Sequence, residues 1–302
     1  MIWTEPKVMN KKKIEFGVSS MVTPLVSLAM RKPGNEMLNA DIKKWHYANE
    51  LIPTKVISQY QSFVDLLEKS GAEILWFNDN DDGLSDSVFT YDPSLVTPKG
   101  AILMNPGKIL RKNEVSLHKS FYDEHGISII GSIIAPGSAE AGDLFWLNDY
   151  TLAVGRGYRT NQAGIDQLTK ILNNQKIKVV QFDLPVYHGR AACLHLMSVV
   201  SLLAEKVALV YAPLMPVALY QLMQKMKFTL LEAPTDEFES SGGLNLNVLA
   251  TAPMKVIAVD GFPKTHKLMR DAGCDLKVFD GDEICIPCEG GPTCMTRPIL
   301  RK

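Results

Sequence analysis

Near its end the chain carries Glu289-Gly290-Gly291-Pro292-Thr293-Cys294-Met295-Thr296-Arg297, a cysteine placed just after a glycine-rich turn. The Gly290-Gly291-Pro292 run forces the backbone to turn and leaves space beside the sulfur. A nucleophilic cysteine reacts as its thiolate, and it needs an acid/base partner and a group that stabilises developing charge. His46, His118, His125, His188, His195 and His266 are the candidates for that partner. His195 is favoured by its place in the repeat described below, and His188, in the glycine-containing loop Tyr187-His188-Gly189-Arg190, is second. Glu140-Ala141-Gly142-Asp143 sets two carboxylates three residues apart ahead of an apolar strand pattern, with a glycine that permits close backbone approach.

The other cysteines read differently. Cys193 sits in an apolar stretch and Cys274 follows Gly273 at a helix end, so both read as structural thiols. Cys285 and Cys288 form a C-x-x-C pair, but there is no second pair and no H-x-x-x-H to complete a zinc site. They read as ordinary thiols, and no metal or cofactor is expected. Asp79-Asn80-Asp81-Asp82 lacks the closing glutamate of a calcium loop and reads as a solvated loop. Gly155-Arg156-Gly157 lacks the third glycine of a dinucleotide fingerprint.

The elements that must position these groups recur as a strand-strand-helix-strand unit. In the clearest copy, Asp143–Gly155 carries two apolar runs around an Asn148-Asp149 turn. A helical pattern follows over 161–172, with Ile165, Leu168, Ile171 and Leu172 on one face. Further copies begin at Asp86, His195 and Asn247, with helices expected near 216–226 and 265–272 and a truncated last copy at Cys294. The starting positions are separated by 57, 52, 52 and 47 residues. Additional strands are expected at 127–134, 179–184, 229–232 and 276–279. If the units form a ring, Asp86, Asp143, His195, Asn247 and Cys294 come to one end of it, and that set has the chemistry of a site.

Composition sets the class. The 302 residues are 46% apolar and 22% charged, with 32 basic against 33 acidic side chains and a net charge of −1. No global field favours nucleic acid or a membrane surface, and Lys11-Lys12-Lys13 reads as a solvated lead-in to an apolar strand. There is no apolar stretch of signal-peptide length at the start and no run of 18 apolar residues, and the five cysteines are an odd, thinly spread number. A cytosolic protein without nucleic-acid or membrane partners is expected.

These motifs resemble the guanidine-modifying enzymes: dimethylarginine dimethylaminohydrolase, arginine deiminase and the amidinotransferases. Asp86-Ser87-Val88-Phe89-Thr90-Tyr91-Asp92 looks like the family's Asp-x-x-Phe-x-x-Asp segment, with Arg111 at the family's spacing after Asn105-Pro106-Gly107. Glu140–Asp143 and Gly157–Asn161 look like the second carboxylate and second arginine regions, Leu194–Ser198 like the histidine motif, and Gly290–Cys294 like the nucleophile motif. The resemblance implies an α/β fold, a five-bladed pseudo-symmetric α/β propeller (the pentein fold), as one catalytic domain over 16–302 after a lead-in over 1–15. It implies that Cys294 attacks the guanidinium carbon of a small arginine-like substrate to form a thiouronium, that His195 is the acid/base, and that Glu140 orients it. It further implies that Asp92 pairs with the guanidinium, Arg111 and Arg159 clamp an α-carboxylate, and Asp86 holds the α-amino group. The expected reaction is hydrolysis to a ureido product such as citrulline. Amidino transfer, an arginine dihydrolase giving ornithine, and a non-catalytic guanidino-compound binder remain alternatives, and the resemblance is compatible with a homodimer. Loops such as Arg31–Asn39 are expected to cover the site. Tyr91 replaces a second acid common in the dimethylarginine hydrolases, and Ala141-Gly142 replaces a glycine pair.

A guanidinium is planar, resonance-stabilised and permanently charged. A nucleophile reaches it only if carboxylates hold its plane, and its positive charge in turn favours the thiolate of a cysteine whose ordinary pKa is about 8.5.

Overall fold

The structure, a computed structural model, describes residues 13–78, 83–189 and 194–302. The readings of Cys193, of Asp79–Asp82, of Arg190 and of Lys11-Lys12 lie outside the described residues. Among the described residues, fifteen strands form five three-stranded sheets. In chain order the strands are β1 (Leu25–Met30), β2 (Glu73–Trp76), β3 (Ser94–Thr97), β4 (Gly100–Leu103), β5 (Ile129–Ser132), β6 (Leu144–Asn148), β7 (Thr151–Arg156), β8 (Lys178–Asp183), β9 (Val200–Ala204), β10 (Val207–Val210), β11 (Thr229–Glu232), β12 (Leu249–Ala252), β13 (Lys255–Val259), β14 (Asp275–Phe279) and β15 (Arg297–Arg301).

One rule builds every sheet. The middle strand pairs antiparallel with the first and parallel with the third, as in β3-β4-β5 and β6-β7-β8. Antiparallel neighbours need only a tight turn, whereas parallel ones need a crossover. Helices Glu114–His125, Gln162–Asn173, Val217–Lys225 and Pro263–Asp271 supply it in the first four blades. In Gln162–Asn173, Asn161 caps the first turn by accepting from Gly164 N at 2.8 Å, and Ile165, Leu168 and Leu172 are buried. The architecture is the five-bladed α/β propeller expected from the repeat.

The fifth blade is where reading the sequence from left to right fell short. The copy that begins at Cys294 is completed by the other end of the chain: β15 pairs antiparallel with β1, β1 pairs parallel with β2, and helix Pro53–Lys69 is the crossover. β15 also latches the ring on both sides. Arg297 donates to the carbonyls of Tyr91 (2.9 Å) and Ser94 (2.5 Å) in the first blade. Arg301 donates to the Ala250 carbonyl of the fourth at 2.8 Å. Two local readings also differ. Ser85–Val88 is a 3-10 turn and the inner strand begins only at Ser94, while the apolar stretch after Lys13 makes a single bridge, Gly17 to Leu300. Among the described residues no helix is long and apolar enough to cross a membrane.

Ile299 of β15 has no exposed surface. Ile299→Ala is expected to lower the unfolding free energy by about 2–5 kcal/mol in urea titration, as for other large-to-small core changes. A loss below about 1 kcal/mol would show that the closing strand is not integral to the core.

Candidate active site

Two chambers meet at Cys294, one of about 300 Å³ and one of about 70 Å³, and Asp92, His195, Glu289 and Cys294 line both. Four of the five repeat-start residues reach this junction: Asp86 lines the small chamber, Asn247 the large one, and His195 and Cys294 both. Asp143 does not. It lies behind the site, accepts from Leu196 N at 3.0 Å, and burial pushes its carboxyl up to about 6. Its contact is to the backbone that carries the histidine.

The two glycines of the turn before Cys294 are closely packed. A Cβ on Gly290 would collide with the Phe89 ring, and one on Gly291 would lie 2.6 Å from Cγ of Asn247. The glycines therefore bring Asn247 up to the nucleophile. Asn247 Oδ1 accepts from Thr293 N at 3.1 Å, which turns the amide so that Nδ2 donates to Cys294 Sγ at 2.9 Å. Burial and the Asp92 carboxylate push the Cys294 thiol above its ordinary pKa, while hydrogen bonds from Gly291 and Asn247 and the charge of His195 act in the opposite sense. Cys285 has only influences that raise it, burial first, and Cys288 is pushed up by burial and Asp86. Of the three, Cys294 has surroundings built to receive negative charge.

Glu140 has no exposed surface and joins three segments. Its Oε2 lies 2.7 Å from His195 Nε2, its Oε1 accepts from Lys108 N at 3.0 Å, and Arg159 Nη1 donates to both oxygens at 3.1–3.2 Å. Burial alone would raise its pKa, but the hydrogen bond with His195 and the charge of Arg159 outweigh that and hold the carboxyl well below the usual range. Ionised Glu140 thus fixes the imidazole and favours its cationic form. Gly142 makes room for that imidazole, since a Cβ there would overlap His195 Nδ1. Its N–H donates to Asp92 Oδ1 at 2.8 Å.

Asp92, Glu140 and His195 come together in the site, and Arg111 and Asp86 have partners within the protein. Arg111 Nη1 donates to Asp92 Oδ2 at 2.5 Å, Nη2 to the Phe89 carbonyl at 2.7 Å, and Nε and Nη2 grip Glu114 at 2.8–3.0 Å. Those carboxylates hold its charge in place, and it fastens Asp92. Asp86 is bound by Lys108 Nζ at 2.6 Å and by the Tyr47 hydroxyl at 2.9 Å. Burial and Asp86 push the Tyr47 phenol up, which keeps it a donor. Arg159 lines the small chamber beside Lys108.

Lys108, Glu114 and Glu289 were not recognised in sequence as site residues. Asn247 was legible through its repeat register, and Lys108 adjoins the Asn105-Pro106-Gly107 turn, but Glu114 and Glu289 carry no local signal. It is Trp45 and His46, just beyond Arg31–Asn39, that line the small chamber. Tyr91 lines the large one and lies under the Arg297 guanidinium at 4.0 Å. His118 is a core residue bonded to Ser94 Oγ at 2.8 Å. Ligand atoms of Asp92, Glu140 and His195 lie within 4.8 Å of one another, as a metal would require. Arg111 and Arg159 already occupy those carboxylates, so the arrangement is an ion-pair network.

Two outcomes are expected. Gly142→Ala should lower turnover by at least about a hundredfold, by displacing the imidazole from the geometry that acid/base catalysis needs, with the circular dichroism spectrum unchanged. Inactivation by neutral iodoacetamide should be slow at pH 7 and still rise with pH beyond about 8.5, the ordinary thiol value, because a raised pKa leaves little thiolate. A plateau below pH 7 would mean that the thiolate stands ready in the free protein.

With this geometry in view, known proteins can be compared. The arginine deiminase family matches residues 81–230. An N(G),N(G)-dimethylarginine dimethylaminohydrolase from Streptomyces coelicolor is 29% identical over 237 residues, covering 77% of this chain and 83% of that one. Its namesake from Pseudomonas aeruginosa is 25% identical, covering 80% and 87%. Among solved structures, the P. aeruginosa enzyme with citrulline superposes with a TM-score of 0.72 at 21% identity, over 92% of this chain and all (100%) of that one. An amidinotransferase of saxitoxin biosynthesis from Microseira wollei gives 0.79 at 16% identity, over 95% and 97%. The solved structures speak for the fold, a five-bladed α/β propeller, and the family match and the sequence relatives make the chain similar to the guanidine-modifying enzymes.

Proposed function

We propose that the protein hydrolyses the guanidinium group of arginine, or of a methylated arginine, to citrulline, releasing ammonia or the methylated amine, with residues 16–302 acting as one catalytic domain. The observation that carries this reading is that Cys294, the Arg111-held carboxylate of Asp92 and a histidine bound to Glu140 line the same two chambers. The relatives named for dimethylarginine hydrolysis and arginine deimination support it.

The guanidinium docks against Asp92, whose two oxygens keep lone pairs beyond those used by Arg111 and Gly142. Its positive charge counters the two influences that raise the thiol, burial and Asp92, so with substrate present the thiol gives up its proton to solvent and the thiolate forms. The sulfur attacks the guanidinium carbon. As the tetrahedral adduct collapses, the carbon–nitrogen bond breaks, and His195 gives its proton to the departing amine. A planar thiouronium remains on Cys294. Water then yields a proton to His195 and its oxygen attacks the same carbon; the carbon–sulfur bond breaks and the second water proton passes to the sulfur, giving the ureido product and regenerating the thiol. Asn247 steadies the sulfur when it carries charge. The large chamber, with Glu239 and Glu289 among its lining residues, receives the amine. A cytosolic location fits the free thiols of Cys274, Cys285, Cys288 and Cys294.

Cys294→Ser should reduce turnover by at least about a thousandfold, as loss of a nucleophile does, while thermal stability is retained. Mass spectrometry of arginine and its methylated forms should find citrulline as the product. Ornithine would instead indicate a dihydrolase, a new guanidino compound would indicate amidino transfer, and ligand binding without Cys294-dependent turnover would leave a binding protein.

A further inference from the structure

The small chamber is lined by the ion pair between Lys108 and Asp86, with side-chain exposures of 17% and 7%. A surface lysine has three strongly hydrated donors; this one has exchanged water for protein. Its Nζ donates to Asp86 Oδ2 at 2.6 Å and to the Trp45 carbonyl at 3.0 Å, and it stands 5.3 Å from the centre of the Trp45 ring. Helix Ile42–Trp45 aims that carbonyl: Asp41 caps its start, and His46, in the left-handed region at φ 64°, ends it. Lys108 also sits beside Arg159 by construction. A Cβ on Gly107 would lie 2.8 Å from the Arg159 Cα and carbonyl oxygen, so only glycine lets the two segments come this close. The result is two neighbouring cations lining a chamber that Cys294 also lines.

We infer that Lys108 receives the α-carboxylate of the substrate, together with Arg159, and that the Lys108–Asp86 pair reads the zwitterionic head of an α-amino acid. This rests on the reading of the site as a guanidinium hydrolase. Arg111 is committed to Asp92, Glu114 and Phe89, which leaves Lys108 as the cation able to meet an anion there with Arg159. Binding is an exchange of partners. The internal pair opens, Asp86 takes the ammonium group and Lys108 the carboxylate, and the charge of the chamber is unchanged. A guanidino amine without a carboxylate opens the same pair but leaves Lys108 facing nothing. A lysine that merely neutralised Asp86 would not distinguish these two ligands.

The test compares arginine with agmatine, which lacks the carboxylate, in the wild type, Lys108→Met and Lys108→Arg, with melting temperature recorded for each. In Lys108→Met, kcat/KM for arginine should fall about tenfold to a hundredfold, the cost of a hydrogen bond to a charged group. Agmatine should change by less than about threefold or improve, and Lys108→Arg should recover part of the arginine rate. Equal losses for both substrates, or an unaffected arginine rate, would overturn the assignment. The same substitutions in a Cys294→Ser background are followed by calorimetry with arginine and agmatine. If the wild type turns over neither, the hydrolase reading fails, and calorimetry still decides the role of Lys108. A selective loss of arginine affinity upholds it, and no selective loss overturns it.

Discussion

A carboxylate without exposed surface, Glu140, is the constraint on which the site is built. An ion taken out of water is tolerated only when its lone pairs are filled, and here they are filled from three directions: the His195 imidazole, the Arg159 guanidinium and the Lys108 amide. Each partner comes from a different stretch of chain. Satisfying one buried charge therefore fixes the acid/base group, one cation of the small chamber and the turn that presents the other. Thr160 Oγ1 accepts from Glu140 N at 3.1 Å and holds the backbone in place.

The nucleophile is treated in the opposite way. Glu140 is kept ionised by its neighbours, whereas Cys294 is kept a thiol by burial and by Asp92. Such a resting state suits the proposed reaction with a ligand that brings its own positive charge, since the idle protein presents little reactive sulfur. Cys288 lines the same small chamber, yet Asp86 and burial hold it protonated.

The propeller supplies the precision. Asp86, His195, Asn247 and Cys294, each shortly before the first strand of its blade, line the chambers. The ring closes through β15, whose two arginines reach into the blades on either side. Cys294 lies three residues before that strand, so closing the ring also sets the nucleophile, which makes fold completion and site completion one event.

Much of this was legible in the amino-acid sequence. The period near fifty residues, the hairpin at Asn148-Asp149, the helix after Asn161 and the polar residues before each inner strand follow from local patterns of apolar and turn-forming residues, which act over a few positions and so survive in one dimension. The choice of partners does not. Arg111 turned to Asp92 and Glu114, Lys108 took Asp86, and Asn247 reached Cys294 Sγ across 47 positions of sequence. The N-terminal strand finished a blade begun at the C-terminus. Charge pairing and hydrogen bonding fall off within a few ångströms, so they are decided by which segments the ring brings into contact, and that is a property of the folded molecule alone.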